Sequence, residues 1–368
     1  MSPALMSSSA FLLLYVLRIT EQIHQCYAFT ATTPPPIGRA TTTTTNSNGI
    51  GASTTIGGTD TLSLFSPCKV NLFLRILGKR PDGYHDLASL FQAIGFGDSL
   101  ELTKIDTNGD DVDAVQRDEF TCNMDGVPTD STNLVIRALE LLRTKTGVRQ
   151  FFRANLIKQV PAQAGLGGGS ANAATALWGA NELMGRPASL DDLVAWSAEL
   201  GSDITFFLSR GTAYCTGRGE IMQTIDPPLP SGTKVCIVKP NVGLSTPTVF
   251  KALDYDRLST IDPDKELLPS FRRGIDNVPD EFFINDLEPP AFQCVPELAV
   301  LKQELLRVEG FAHVMMSGSG TSIFCLGEPK DRDRFDADFG AREDIQVFFS
   351  EFIARDDDGW FQRPKSKT

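Results

Sequence analysis

The 368 residues are 41% hydrophobic and 22% charged, too long for a stapled mini-protein and too apolar for a disordered chain, so they can bury one large core or two ordinary ones. Lys and Arg total 34 against 46 Asp and Glu, a net charge of -12, which excludes the basic footprint of a duplex-binding or anionic-membrane-binding protein and makes nucleic acid an unexpected partner. Cysteines are scattered without a CxxC pair and histidines occur only at 24, 85 and 313, which argues against a structural zinc site and for free thiols.

Residues 1–60 hold only Arg18 and Arg39 as bases and Glu21 and Asp60 as acids, and from Thr30 they are mostly Thr, Ser, Gly and Pro. Such a stretch cannot offset its own ordering entropy. The apolar run Ala10 to Leu17 falls well short of the ~20 residues that cross a bilayer, and it suits the apolar region of a signal peptide. Downstream of that run, Cys26-Tyr27-Ala28-Phe29-Thr30 and then an acid-free Thr/Pro segment resemble the two-part presequences that send proteins to plastids, with a first cut between Ala28 and Phe29. The expectation is a targeting segment over 1–60, a plastid stroma location, and no membrane span in the mature chain.

From Ser66 to Leu77 the sequence alternates: Val70, Leu72, Leu74 and Ile76 point one way, Lys69, Asn71, Phe73 and Arg75 the other. This predicts a strand with one packed face. The turn-rich Gly78 to Gly83 comes next, and Tyr84 and His85 emerge from it. A helix is predicted over 132–146 with Leu134, Ala138, Leu141 and Leu142 inward, then a short strand over 154–160. The glycine run from Gly165 to Ser170 leads into a helix over 171–184, and Ser189 caps a further helix that Gly201 ends, with Asp203 just beyond. The Pro/Gly-rich Asp226 to Thr233 reads as a linker into a second domain, which begins with a strand over 234–239 and includes Val314 to Leu326 around the loop Ser317 to Thr321. A tail over 354–368 is expected to fray.

The run Gly165-Leu-Gly167-Gly168-Gly169-Ser170 lets backbone approach a ligand and aims free N–H groups at one point, while the helix after it adds its positive end. That makes an anion cradle, or else a tight turn that packs a helix closely. It is not a Walker A motif, which needs a lysine before Ser170, nor a dinucleotide fingerprint, which needs glycine at 170.

Three stretches in order resemble the GHMP kinase superfamily of small-molecule kinases: SPCKVNLFL (Ser66 to Leu74), PAQAGLGGGSANAA (Pro161 to Ala174) and VMMSGSGTSIF (Val314 to Phe324). The segments KVNLFLRILGKRPDGYHDL, LGSDITFF, GTAYCTGRGE and NDLEPP narrow the resemblance to the branch that acts on a cytidine-diphosphate-linked methylerythritol in non-mevalonate isoprenoid synthesis. The resemblance implies a two-domain α+β fold, an N-terminal domain of the ribosomal protein S5 domain 2 type over 61–222 and a ferredoxin-like C-terminal domain over 223–353, with the site between them. It implies ATP- and Mg²⁺-dependent phosphorylation of the 2-hydroxyl of that substrate, by a monomer or weak homodimer. Other superfamily kinases, of the homoserine or mevalonate type, and a non-catalytic nucleotide-binding protein are the alternatives.

By the same resemblance Lys69 is the catalytic lysine and Asp203 the catalytic aspartate. Asn71, Tyr84, His85 and Phe250 bind the substrate, His85 reading the cytosine. Gly165, Gly167, Gly168, Gly169 and Ser170 hold nucleotide phosphates, Ser170 also reaching Mg²⁺, and Asn133 lies on the adenine side unless it is simply a helix cap. Arg218 is either a phosphate contact or a solvated charge. The chain departs from the branch at Cys68, where Ala is usual, at Gln163, where Gly is common, and at Thr205, which replaces a proline after Asp203.

Overall fold

Two long strands, β1 (Thr61–Lys79) and β2 (His85–Ile105), pair antiparallel along nearly their whole length. They belong to a computed structural model that describes residues 61–105 and 117–355. The presequence expected over 1–60 and most of the expected tail lie outside those residues. No helix among the described residues is long and apolar enough to cross a membrane.

The alternation in β1 predicts one exposed face, and this is corrected: Leu64 to Ile76 is buried without a break. The register shifts between Asn71 and Phe73, and this bulge turns Phe73 into the same core as Val70 and Leu72. That core also holds Val235, Ile237 and Phe324, so β1 is covered by residues supplied more than 150 positions later. Lys69 and Asn71 are left as buried polar groups on the remaining face.

The other edge of β2 is shared. Leu87 to Gln92 pairs with β5 (Thr212–Gly217), while Ser99 to Ile105 pairs with β4 (Phe151–Ile157). β3 (Glu119–Cys122) runs parallel to β4, and β6 (Ile221–Thr224) closes a hairpin with β5. A second, four-stranded sheet has the order β10-β7-β9-β8, from β7 (Lys234–Pro240), β8 (Phe311–Met316), β9 (Ile323–Gly327) and β10 (Ile345–Glu351). Every pairing in it is antiparallel.

Helix α1 (Leu134–Thr146) starts two residues later than expected because Asn133 is its N-cap, and Gly147 ends it in a left-handed conformation. Its buried residues are Val135, Ala138, Leu139 and Leu142, so the inward face is rotated from the expected one and Leu134 and Leu141 sit at its margins. Helix α2 (Gly168–Leu183) begins inside the glycine run. Its small residues let it lie close on the sheet, and a Cβ on Gly179 would come within 2.4 Å of Leu64. Helix α3 (Leu190–Ser197) carries a full capping box between Ser189 and Asp192, and it ends at Ser197, short of the predicted stop at Gly201.

Candidate active site

Strand β1 delivers Lys69 and Asn71 to one point because they lie two residues apart on one face. Lys69 is 3% exposed. It donates to Asn71 Oδ1 at 2.7 Å, stands 4.8 Å from the centre of the Phe91 ring, and has Asp203 Oδ2 at 3.9 Å. Burial lowers its pKa, and the charge of Asp203 opposes that shift. Asn71 is itself fixed, its amide nitrogen donating to Ser89 Oγ at 2.8 Å, which donates on to the Phe73 carbonyl.

Asp203 reaches this point from the turn after α3. Where the related branch has a rigid proline, Thr205 is buried and accepts a 3.2 Å hydrogen bond from Ser197 Oγ, so a side-chain tie replaces a ring in holding the turn. The Asp203 side chain is 42% exposed, open to whatever enters the cleft.

The glycine run lies against Lys69, whose backbone N–H donates to the Leu166 carbonyl at 3.1 Å. Gly165 has φ +72, and a Cβ there would sit 2.1 Å from the Ser317 carbonyl oxygen. Gly167 has φ +71, and a Cβ would strike the Phe207 ring at 2.7 Å. Packing therefore demands glycine at both, which answers half of the choice left open by the sequence. As for the other half, α2 starts with no side-chain cap hydrogen bond, and a Cβ at Gly169 would have only Leu134 within 4 Å among the described residues, at 3.8 Å. Gly168 is closed in by Val160, and Ser170 lies half-buried in the first turn. For Gly165→Ala we expect a loss of about 1–3 kcal/mol from the left-handed backbone alone, with the carbonyl clash added; denaturant unfolding that matches the parent protein would refute this.

The loop Ser317 to Thr321 closes the same point from the second sheet. Ser317 Oγ donates to the Gly165 carbonyl at 3.0 Å, and the Ser322 N–H donates to the Ala164 carbonyl at 3.1 Å. A Cβ on Gly318 would lie 3.4 Å from Lys69 Nζ. Sequence reasoning assigned no role to Asn285, which braces this loop: its amide nitrogen donates to both the Met316 and the Gly318 carbonyls at 2.8 Å. Beside it, Asp286 forms a buried ion pair with Arg75 at 2.9 Å and accepts the Ile76 N–H. The block NDLEPP was the available signal, but its meaning lies in contacts with distant parts of the chain.

A second cluster forms at the far end of β1. The rings of His85 and Phe250 have centres 4.7 Å apart, and His85 Nε2 hydrogen-bonds the Tyr255 hydroxyl at 2.7 Å. Partial burial lowers the His85 pKa, aided by the charge of Lys79, which favours the neutral ring. Tyr84 is 56% exposed and lies under the Arg218 guanidinium. Tyr255 was not anticipated, since a tyrosine in an irregular stretch carries no local signal.

Asn133 has its side chain engaged: Oδ1 accepts the Val135 N–H and the amide nitrogen donates to the Pro128 carbonyl, while its neighbour Leu134 lies against Gly169. Gln163 takes the glycine-like φ of +50, and its Oε1 lies where a Cβ on Gly243 would be, 2.3 Å away. The Cys68 thiol is wholly buried and its pKa is pushed far up by desolvation, so it is an inert core residue beside the lysine. Among the described residues no three acidic, His or Cys side chains gather to hold a metal.

A lysine and an aspartate thus meet beside an uncapped helix start, and the family comparisons give the class of protein to which the chain belongs. The model for the GHMP kinases N terminal domain matches residues 133–211, and that for the GHMP kinases C terminal matches residues 266–342. A 4-diphosphocytidyl-2-C-methyl-D-erythritol kinase, chloroplastic, of Arabidopsis thaliana is 45% identical over 83% of this chain and 77% of its own. The 4-diphosphocytidyl-2-C-methyl-D-erythritol kinase of Protochlamydia amoebophila is 43% identical, covering 82% of this chain and 93% of its own. A crystal structure of 4-(cytidine 5'-diphospho)-2C-methyl-D-erythritol kinase superposes with a TM-score of 0.63 at 29% identity, over 79% of this chain and 99% of that one. The chain belongs to the GHMP kinases, in the family of the 4-diphosphocytidyl-2-C-methyl-D-erythritol kinases.

Proposed function

We propose that the protein transfers the γ-phosphoryl group of ATP to the 2-hydroxyl of 4-diphosphocytidyl-2-C-methyl-D-erythritol. The observation that carries this reading is the approach of Lys69 and Asp203 to 3.9 Å beside the glycine run. Phosphoryl transfer asks little covalent work of a protein; it asks for alignment and for charge compensation. Asp203 accepts a hydrogen bond from the hydroxyl and takes its proton late, as the bond from that oxygen to phosphorus forms. Lys69, held by Asn71, neutralises charge that develops on the transferring group. The N–H groups that open α2, with Gly165 to Gly169, receive the nucleotide phosphates, and Mg²⁺, when bound through Ser170, would supply further charge neutralisation.

The pyrimidine lies between Tyr84 and the pair His85 and Phe250, with Asn71 near the reacting hydroxyl. His85→Ala should raise KM for the cytidine-linked acceptor on the order of 10- to 100-fold while KM for ATP holds, because a hydrogen bond and a ring face are both lost. The activity itself is tested by ATP consumption with and without that acceptor. Turnover that ignores the acceptor, or turnover with homoserine or mevalonate in its place, would reject the reading. The chloroplastic relatives, together with the presequence expected over 1–60, support a plastid location, and the two sheets support a domain boundary between the end of β6 at Thr224 and the start of β7 at Lys234, a little beyond the expected 222.

A further inference from the structure

The turn between β5 and β6 carries a charge that the catalytic and binding roles assigned so far do not use. Gly217 pairs with Leu87 of β2, which sets the turn Gly217 to Glu220 beside Tyr84 and His85. At its other end a Cβ on Gly219 would lie 3.5 Å from Asp203 Oδ1. The turn thus spans the distance from the base-binding cluster to the catalytic carboxylate, and Arg218 stands in its middle. Its guanidinium lies 5.1 Å from the centre of the Tyr84 ring, and its side chain is 32% exposed. Only Nε is engaged, by Glu220 at 3.4 Å. The two terminal nitrogens make no hydrogen bond to the described residues, so the fork that matches phosphate geometry is open.

The proposed acceptor has a pyrimidine at one end and a reacting hydroxyl at the other, and a diphosphate joins them. With Asp203 and Glu220 beside this path, and Asp82 close enough for Arg218 to lower its pKa, an uncompensated diphosphate would be repelled. Arg80 is already shared between Asp82 and Asp86, and Lys69 is held at the reacting end. We propose that Arg218 binds the diphosphate bridge of the cytidine-linked acceptor, which rests on the proposed identity of that acceptor. Stacking on Tyr84 pre-orients the fork, so one residue supports both the base platform and the charge beside it.

The test compares Arg218→Met, which keeps the stem over Tyr84, with Arg218→Lys, measuring KM for acceptor and for ATP at about 0.05 and 0.5 M salt, where the Debye length falls severalfold. In the Met variant we expect acceptor KM to rise about tenfold, ATP KM to hold within about twofold, and the salt dependence of acceptor KM to flatten, with Lys restoring part of each. An acceptor KM within about twofold of the parent, or an unaltered salt dependence, overturns the proposal and leaves the acceptor's identity standing. If the parent protein shows no turnover of the cytidine-linked acceptor, both fall.

Discussion

Lys69→Met should lower kcat about a thousandfold, within the range found when one charge-stabilising donor is removed from a phosphoryl- or acyl-transfer site. The size of the effect reflects burial. A lysine that is 3% exposed, with its nearest carboxylate at 3.9 Å, acts through a weakly screened medium on charge that appears during transfer. The same burial makes the charge costly to the folded state, and methionine fills similar space, so unfolding stability should stay level or rise. Activity loss without stability loss separates a chemical role from a structural one. Residual kcat within tenfold of the parent would remove Lys69 from the mechanism. The pH profile gives a second check. Transfer needs the protonated amine, so kcat/KM falls as pH rises through the Lys69 pKa, and burial sets that pKa below the ordinary value of about 10.4. An alkaline limb at or above that value would contradict the buried geometry.

Asp203→Asn should lower kcat by about 10²- to 10⁴-fold, the usual range for loss of a positioned proton acceptor. Asparagine keeps the shape and one oxygen, so it can still orient a hydroxyl; what it loses is the capacity to take the proton and the charge opposite Lys69. Stability should fall modestly, because the exposed carboxylate contributes little by itself but its loss leaves the buried Lys69 ammonium without its nearest counter-charge. Were the Asn variant to retain kcat within a few-fold, proton acceptance would have to be assigned to another group.

Much of this site could be read from local sequence, because its chemistry sits on short-period features. The two-residue spacing of Lys69 and Asn71 on a strand, the glycine run before a helix, and the Ser189 cap that times the arrival of Asp203 are all local. What local reasoning missed depends on distant chain. The exposed face expected for β1 is buried because the core around Val70 draws Val235, Ile237 and Phe324 from the second sheet, and a bulge after Asn71 reverses the side of Phe73. The demand for glycine at 165 comes from a carbonyl at Ser317. Asn285 and Tyr255 act through partners far away in sequence, and neither residue type announces such a role. Thr205 is the instructive departure, since the loss of proline is offset by a hydroxyl on the preceding helix, which pairwise residue matching does not reveal.

Residues 284–286 are stitched onto β1, and this constrains how the molecule can open. Leu74 donates to the Ile284 carbonyl at 2.7 Å and accepts the Asp286 N–H at 2.9 Å, while Asn285 ties the loop over Lys69. A hinge that swung the second sheet away from β1 would have to break either the Leu74 bonds or the Asn285 bonds in a buried setting, where each unmade bond costs about 1–3 kcal/mol. Such an enzyme admits its substrates through a fixed gap, and selectivity then depends on the shape and charge of that gap before anything binds.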